Sequence, residues 1–166
     1  MDIVSHGLYG GVAFGRKSRK LYLWAFGFGI MPDLFSFGIF TAGNILGLVS
    51  GPDWGSGLPN PETIPQFVHI LYNITHSLVV FAVVFGLVWL LRKKLFIPIL
   101  AWGLHILVDI PTHSAAFFPT PFLWPISNVA IDGVNWGQPV IFYPDIAILV
   151  LAYFLWWVLR RKKRES

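Results

Sequence analysis

Three side chains that can bind a metal ion fall within one otherwise apolar stretch of this sequence: His105, Asp109 and His113. Residues four apart on an α-helix point the same way, so this spacing predicts that Asp109 lies between the two histidines on one face. Pro111 is expected to end or kink the helix. Ionisable side chains are costly to bury in an apolar segment, so they need each other or a bound ion. For this motif alone, a buried His–Asp hydrogen bond without chemistry is the alternative.

The composition indicates what kind of protein must position these residues. Of 166 residues, 55% are hydrophobic and only 12% are charged, whereas a soluble domain has about 25% charged residues. We therefore expect an all-α, polytopic integral membrane helical bundle that forms a single domain over residues 1–166. The chain has no cysteine, which excludes disulfides and thiolate ligands. Any metal must be bound by imidazole, carboxylate and water.

All basic residues fall in three clusters, each beside an apolar run. The clusters are Arg16, Lys17, Arg19 and Lys20, then Arg92, Lys93 and Lys94, then Arg160, Arg161, Lys162, Lys163 and Arg164. This distribution is typical of the cytoplasmic flanks of membrane helices rather than of a nucleic-acid groove. The positions of the basic residues, rather than the net charge of +4, therefore predict contact with the lipid bilayer and no nucleic-acid partner.

Four apolar runs predict spanning helices. They cover residues 21–50, 66–91, 95–110 and 141–159. Residues 1–15 are too short to cross about 30 Å of hydrocarbon, which takes about 20 helical residues, so we expect a half-helix or a re-entrant segment there. With the basic clusters cytoplasmic, loops 51–65 and 111–140 lie outside a multi-pass protein of the cell's inner (cytoplasmic) membrane.

The helical rise of about 1.5 Å per residue places six ionisable residues in one layer, about 15 to 28 Å from the nearest basic cluster. They are His6, Asp33, His76, His105, Asp109 and His113. Such a group suits one or two divalent ions with mixed nitrogen and oxygen ligands, zinc first and manganese or iron as alternatives. Bound divalent ions are used for phosphoester cleavage. Asp33 and Asp109 are candidates for a bridging ligand or, if uncoordinated, for the general base.

Five short motifs carry a resemblance to a known family. They are Ser5-His6-Gly7, Pro32-Asp33-Leu34, Thr75-His76-Ser77, the run from His105 to Thr112, and the run from Leu123 to Ser127. In this order they resemble the YdjM-like bacterial and archaeal membrane-bound metal-dependent hydrolases. A more distant similarity is to zinc-dependent phospholipases C and single-strand nucleases. The resemblance implies hydrolysis, with His6, Asp33, His76, His105 and Asp109 as the metal-site residues.

The sequence also departs from this family pattern. Members often have a second acid where this chain has Phe35, and a His-Arg pair where it has Leu71 and Tyr72. One or two ligands and a phosphate-binding arginine are therefore missing. His113 and His69 are candidates to compensate.

Several functions fit these observations. The first is a hydrolase that acts on a phosphoester of a lipid or another membrane-proximal substrate, because a site in the outer leaflet is accessible to a lipid headgroup. The second is an ion- or proton-coupled transporter, which would have to oligomerise because the chain has few spans and no internal repeat. A haem protein with His76 and His105 as axial ligands and a metal-binding protein without catalysis are further alternatives.

Overall fold

The computed structural model describes residues 1–52 and 59–165, which form helices and connecting loops and contain no strand. The α-helices are α1 Ile3–Phe14, α2 Arg19–Asp33, α3 Ile39–Ile45, α4 Gln66–Thr75, α5 Leu78–Arg92, α6 Leu100–Thr112 and α7 Pro139–Glu165. A π-helical segment, Leu34–Gly38, joins α2 to α3, and short 3₁₀ turns lie at Pro61–Thr63 and Ile97–Ile99. The predicted all-helical class is confirmed.

Two helices are long and apolar enough to cross a membrane, namely Arg19–Ile45 and Pro139–Lys162. A third span results if α4 and α5, bent by 57° at their junction, are counted as one. These three correspond to the predicted spans 21–50, 66–91 and 141–159. The predicted span 95–110 is a shorter apolar helix, Ile97–Thr112, and the predicted half-helix over residues 1–15 is the 12-residue α1.

The two predicted outer loops differ in how much of them the structure describes. Within loop 51–65, residues 53–58 lie outside the described residues. The loop predicted at 111–140 begins later, because α6 continues through Pro111 to Thr112. It then folds back over the end of α6, where the amides of Gly133 and Val134 donate to the carbonyls of His113 and Pro111, each at 2.9 Å.

Helices α1 and α2 pack closely because glycines line their contact. A Cβ atom on Gly29 would lie 2.4 Å from the carbonyl oxygen of His6, and one on Gly10 would lie 2.6 Å from that of Ala25. Such approaches exclude any side chain, so the two backbones nearly touch. This contact sets His6 against the deep end of α2.

The boundary between α4 and α5 lies at Thr75-His76-Ser77. Ser77 caps α5, since its Oγ accepts from the amides of Val79 and Val80 at 3.1 and 3.2 Å. The same hydroxyl donates to the carbonyl of Trp124. A serine N-cap is a strong helix start signal, and here it divides one apolar run into two helices. His76 lies in the bend, and its side chain is fully buried.

The π-helical segment begins directly after Asp33. Pro32 lacks an amide hydrogen, so the regular hydrogen-bonding pattern is interrupted there. Its carbonyl accepts from the hydroxyl of Ser36 at 2.9 Å and from that of Thr75 at 3.2 Å. Single π-helical turns are frequent at functional sites, and this one fixes the position of Asp33.

Aromatic contacts bring the three basic clusters to one end of the bundle. Trp24, just after the first cluster, packs edge to face with Phe96, just after the second, at a ring distance of 6.0 Å. Tyr22 stacks on Trp156, one turn before the third cluster, at 5.8 Å. That this end faces the cytoplasm stays a prediction.

Candidate metal centre

Four side chains from separate parts of the fold converge at the deep end of α2. Asp33, His76, His105 and Asp109 each present one ligand atom, and these atoms all lie within 4.8 Å of one another. The Nε2 atoms of the two histidines are 3.1 Å apart. Oδ2 of Asp109 lies 3.0 Å from Nε2 of His105 and 3.6 Å from that of His76. Oδ1 of Asp33 lies 3.4 Å from Nε2 of His76 and 3.9 Å from that of His105.

The hydrogen bonds of the two histidines determine which nitrogen faces the group. Nδ1 of His105 lies 2.7 Å from the carbonyl oxygen of Gly29, and Nδ1 of His76 lies 3.1 Å from that of Tyr72. A carbonyl oxygen only accepts, so each Nδ1 carries the proton and donates it. In neutral rings both Nε2 atoms then present lone pairs to each other, an arrangement that a cation or a shared proton between them would stabilise.

The arrangement fits a metal ion. Zinc–ligand bonds of about 2.0 to 2.1 Å in a tetrahedron imply ligand–ligand separations of about 3.3 Å. The five separations given above range from 3.0 to 3.9 Å and bracket that value. Oδ2 of Asp109 is fully buried and has no hydrogen-bond partner, as expected of an oxygen that faces an ion. Two imidazoles and two carboxylates form a donor set for a divalent cation, and zinc, manganese and iron all accept it.

The other oxygen of Asp109 contacts a second set of groups. Nε2 of His6 lies 2.9 Å from Oδ1, and Nδ1 of His113 lies 3.3 Å from it. The α-amine of Met1 donates to the same atom at 2.5 Å and to the hydroxyl of Thr112 at 3.3 Å. Asp109 therefore bridges two environments, with Oδ2 towards the four-residue group and Oδ1 towards nitrogen donors.

The centre is closed on most sides. The side chains of His76, His105 and Asp109 are fully buried, whereas that of Asp33 is 19% exposed. The ring of His6 stacks on that of His105 at 3.6 Å, and the ring of Tyr72 stacks on that of His76 at 3.8 Å. Access to the group is therefore from the side of Asp33.

The structure thus brings the six predicted residues into one cluster around Asp109. Four of them form the convergent group, while His6 and His113 contact the carboxylate of Asp109 at its far oxygen. His69 lies elsewhere, stacked on Phe118 at 4.5 Å with Nε2 3.1 Å from the carbonyl of Pro61. Phe35, at the position of the missing family acid, is 51% exposed and so adds nothing to the group.

Sequence reasoning missed a further buried acid, Asp145 of α7, which is 3% exposed. Its Oδ2 accepts from the hydroxyl of Ser5 at 2.7 Å, while its Oδ1 has no hydrogen-bond partner. A signal was present, because Pro144-Asp145 repeats the Pro32-Asp33 pair inside an apolar run. Ser5 and His6 are adjacent in α1, so neighbouring residues contact the two buried aspartates.

A comparison with known proteins identifies the family. No curated protein and no solved structure shows significant similarity to the chain. The model of the YdjM inner membrane protein family matches residues 1–166. The match covers the whole sequence, including every residue of the cluster, and agrees with the apolar helices of the fold. The chain belongs to the YdjM family of inner membrane proteins.

Proposed function

We propose that this protein is a membrane-embedded hydrolase that uses a divalent metal ion to cleave a phosphoester of a lipid or another membrane-proximal substrate. The observation that carries the proposal is the pair of buried imidazole Nε2 lone pairs, 3.1 Å apart, with two carboxylates beside them. Several buried ionisable groups are a large cost for a structural role alone. The reaction class is proposed from the order of the sequence motifs, which resembles that of zinc-dependent phospholipases C.

His76, His105 and Asp109 would hold the ion, and Asp33 would either complete the ligand set or, if uncoordinated, act as the general base. A divalent cation held in this way supplies Lewis acidity, which polarises a phosphoryl oxygen and lowers the pKa of bound water. The preference among zinc, manganese and iron depends on ligand number, and the nitrogen content favours zinc.

Neighbouring groups orient these four residues. The carbonyls of Gly29 and Tyr72 hold the two imidazoles through their Nδ1 protons. His6 contacts the far oxygen of Asp109 at 2.9 Å and so directs Oδ2 towards the group. Such outer contacts commonly change metal affinity by about 10- to 100-fold. The glycine contact between α1 and α2 fixes the positions of His6 and of the Gly29 carbonyl relative to each other.

Asp33 is the best candidate for the general base. It is the most accessible carboxylate of the group, and Asp109 already has contacts on both oxygens. In this role Asp33 takes a proton from the attacking water and returns it to the alcohol that leaves when the ester P–O bond breaks. Asp109 is then the permanently bound carboxylate.

The surroundings of Asp33 favour a lipid substrate. Leu34 and Phe35 follow it directly and are 45% and 51% exposed, and Ile39 is 47% exposed. In a membrane protein these side chains face acyl chains. A phospholipid can therefore lie along this apolar surface with its headgroup beside Asp33, whereas a large soluble polymer cannot.

Metal content is the first test. Detergent-purified protein should carry one or two zinc or manganese ions per chain by mass spectrometry, and a His105→Ala/Asp109→Ala double variant should carry none. His69→Ala is the matched control, since His69 lies outside the group. Absence of metal from the wild type after reconstitution with zinc and manganese contradicts the proposal.

Activity is the second test. The metal-loaded protein in mixed micelles should release phosphate or a phosphorylated headgroup from a phospholipid, and EDTA should abolish the release. Asp33→Asn should reduce turnover by about 10²- to 10⁴-fold, the usual contribution of a general base. Full metal occupancy without hydrolysis of any phosphoester tested would support metal binding but contradict the proposed hydrolase activity.

One observation favours a second candidate, an ion-coupled transporter. Two helices are interrupted at the group, one by the π-helical segment after Asp33 and one by the 57° bend at His76. Interrupted helices at ion sites are typical of transporters. Zinc uptake into liposomes that contain the protein, without phosphoester cleavage, would support this candidate over the hydrolase.

A further inference from the structure

A second site lies at the other end of the bundle, in the first turns of α2. An open depression of about 620 Å³ is lined by Arg19, Lys20, Leu23 and Trp24. We propose that this depression binds one anionic phospholipid, separately from the metal centre and from any substrate.

The two cations lack compensation within the protein. Neither Arg19 nor Lys20 forms a hydrogen bond or an ion pair with another described residue, and no acidic residue lies in the first turn of α2. An anion beside this turn would therefore find two positive charges that no described acidic side chain neutralises. The nearest basic cluster adds Arg92, whose guanidinium lies 4.8 Å from the centre of the Phe96 ring.

The order of the lining residues matches the shape of a lipid. Leu23 and Trp24 follow Arg19 and Lys20 by one helical turn, which is about 6 Å along the axis. They are 57% and 50% exposed. The cations therefore lie at the level of a phosphate group, and the apolar side chains lie at the level of the acyl chains.

Aromatic packing holds the apolar wall in place. The ring of Trp24 contacts those of Phe28 and Phe96 at 6.1 and 6.0 Å, and Phe28 and Phe96 contact each other at 6.0 Å. A fixed tryptophan lies beside these two cations, whereas Lys93 and Lys94 do not line this depression.

The charge pattern selects the headgroup. A phosphatidylglycerol headgroup carries a net negative charge that Arg19 and Lys20 neutralise. The choline or ethanolamine of a zwitterionic lipid would place a further cation against them. Each basic residue near a membrane surface attracts anionic lipid enough to change binding several-fold. Two residues should therefore give a preference of about tenfold or more.

Native mass spectrometry of the intact chain, released from nanodiscs that contain equal amounts of phosphatidylglycerol and phosphatidylcholine, tests the proposal. The wild type should retain one phosphatidylglycerol, with a preference of about tenfold or more. Arg19→Gln/Lys20→Gln should lose the retained lipid. Lys93→Gln/Lys94→Gln, which removes the same charge at the same end, should keep it.

A third variant, Trp24→Ala, tests the apolar wall and should reduce retention while both cations remain. Equal loss of lipid in the two double variants would overturn the proposal, because it would indicate a diffuse surface potential. Equal retention of the two lipids, or displacement of the lipid by inorganic phosphate, would also overturn it. Zinc content, measured in the same samples, should be unchanged in all three variants.

Discussion

Asp109 and Asp145 are both buried aspartates in apolar helices, but their surroundings differ in kind. Asp109 lies within 3.6 Å of four histidines and also contacts the α-amine of Met1. Asp145 accepts a single side-chain hydrogen bond, from the hydroxyl of Ser5, and forms no ion pair with a described residue. The carboxylate of Asp109 therefore lies among nitrogen atoms from several segments, whereas that of Asp145 links α7 to α1.

This difference shows that burial of an acid does not by itself identify a functional site. A carboxylate with one hydroxyl donor has a structural explanation, since the bond attaches α7 to α1. The convergence of two imidazoles and two carboxylates fits the proposed metal ion, because a cation between the facing Nε2 atoms would offset their repulsion. The same substitution should therefore change zinc affinity strongly at Asp109 and leave it unchanged at Asp145.

Asp109→Asn should have the largest effect. It removes the charge that faces the group and leaves an amide among the histidines, so zinc affinity should fall by about 100-fold or more. That corresponds to about 3 kcal/mol, in the range for loss of one partner from a buried charged cluster. Competition against a zinc chelator of known affinity measures the change, and unchanged affinity would mean that Asp109 does not bind the ion.

The adjacent residues Ser5 and His6 provide the next test, since each contacts a different aspartate. His6→Ala should lower zinc affinity by about 10- to 100-fold, because the contact that orients Asp109 is lost. Ser5→Ala should leave zinc affinity unchanged but destabilise the fold by about 1 to 3 kcal/mol, because the buried carboxylate of Asp145 loses the hydroxyl that donates to it. Thermal unfolding in detergent and chelator competition separate the two effects. Equal effects on zinc affinity would contradict the comparison.

Two glycines of α2 test whether the close contact between α1 and α2 is needed for zinc binding. Gly29→Ala places a Cβ atom 2.4 Å from the His6 carbonyl, so overpacking should cost about 1 to 3 kcal/mol. The same displacement should weaken zinc binding, because the Gly29 carbonyl orients His105. Gly27→Ala, with no atom within 4 Å of its Cβ position, is the control and should be neutral or stabilising. A stable Gly29→Ala variant with full zinc affinity would contradict the close packing.

Asp145→Asn should have the smallest effect. The amide oxygen of asparagine still accepts from Ser5, so stability should change by less than about 1 kcal/mol. Zinc content should not change, because Asp145 faces α1 rather than the four-residue group. A loss of zinc comparable to that of Asp109→Asn would show that the two aspartates belong to one site.

Parts of this arrangement are predictable from sequence because they follow from helix geometry. The His105-to-Asp109 spacing fixes both residues on one face, and the distance from the basic clusters places His6 and His76 at a similar depth. The same rise puts Asp145 about 22 Å from Arg160, in the same layer. It was overlooked because depth does not reveal which face of a helix points inward.

Other parts depend on tertiary contacts that no local pattern encodes. The run 66–91 is apolar throughout, so the 57° bend at His76 is visible only once Ser77 is recognised as an N-cap bonded to Trp124. The run 95–110 is expected to end before Pro111, yet its helix continues through Pro111 to Thr112, where the following loop folds back onto Pro111 and His113. The sequence predicts which residues meet more readily than the path of the chain between them.

The contacts of α1 have a consequence for biosynthesis. His6 and Ser5 are separated by 103 and 140 residues from Asp109 and Asp145, so α1 is translated long before its partners in α6 and α7. At about 5 to 20 residues per second, the interval is about 5 to 30 seconds. During that time α1 can pack against α2, which follows it directly in the chain. The group around Asp109 therefore cannot form until α6 has been translated, and the contact between Ser5 and Asp145 must wait for α7.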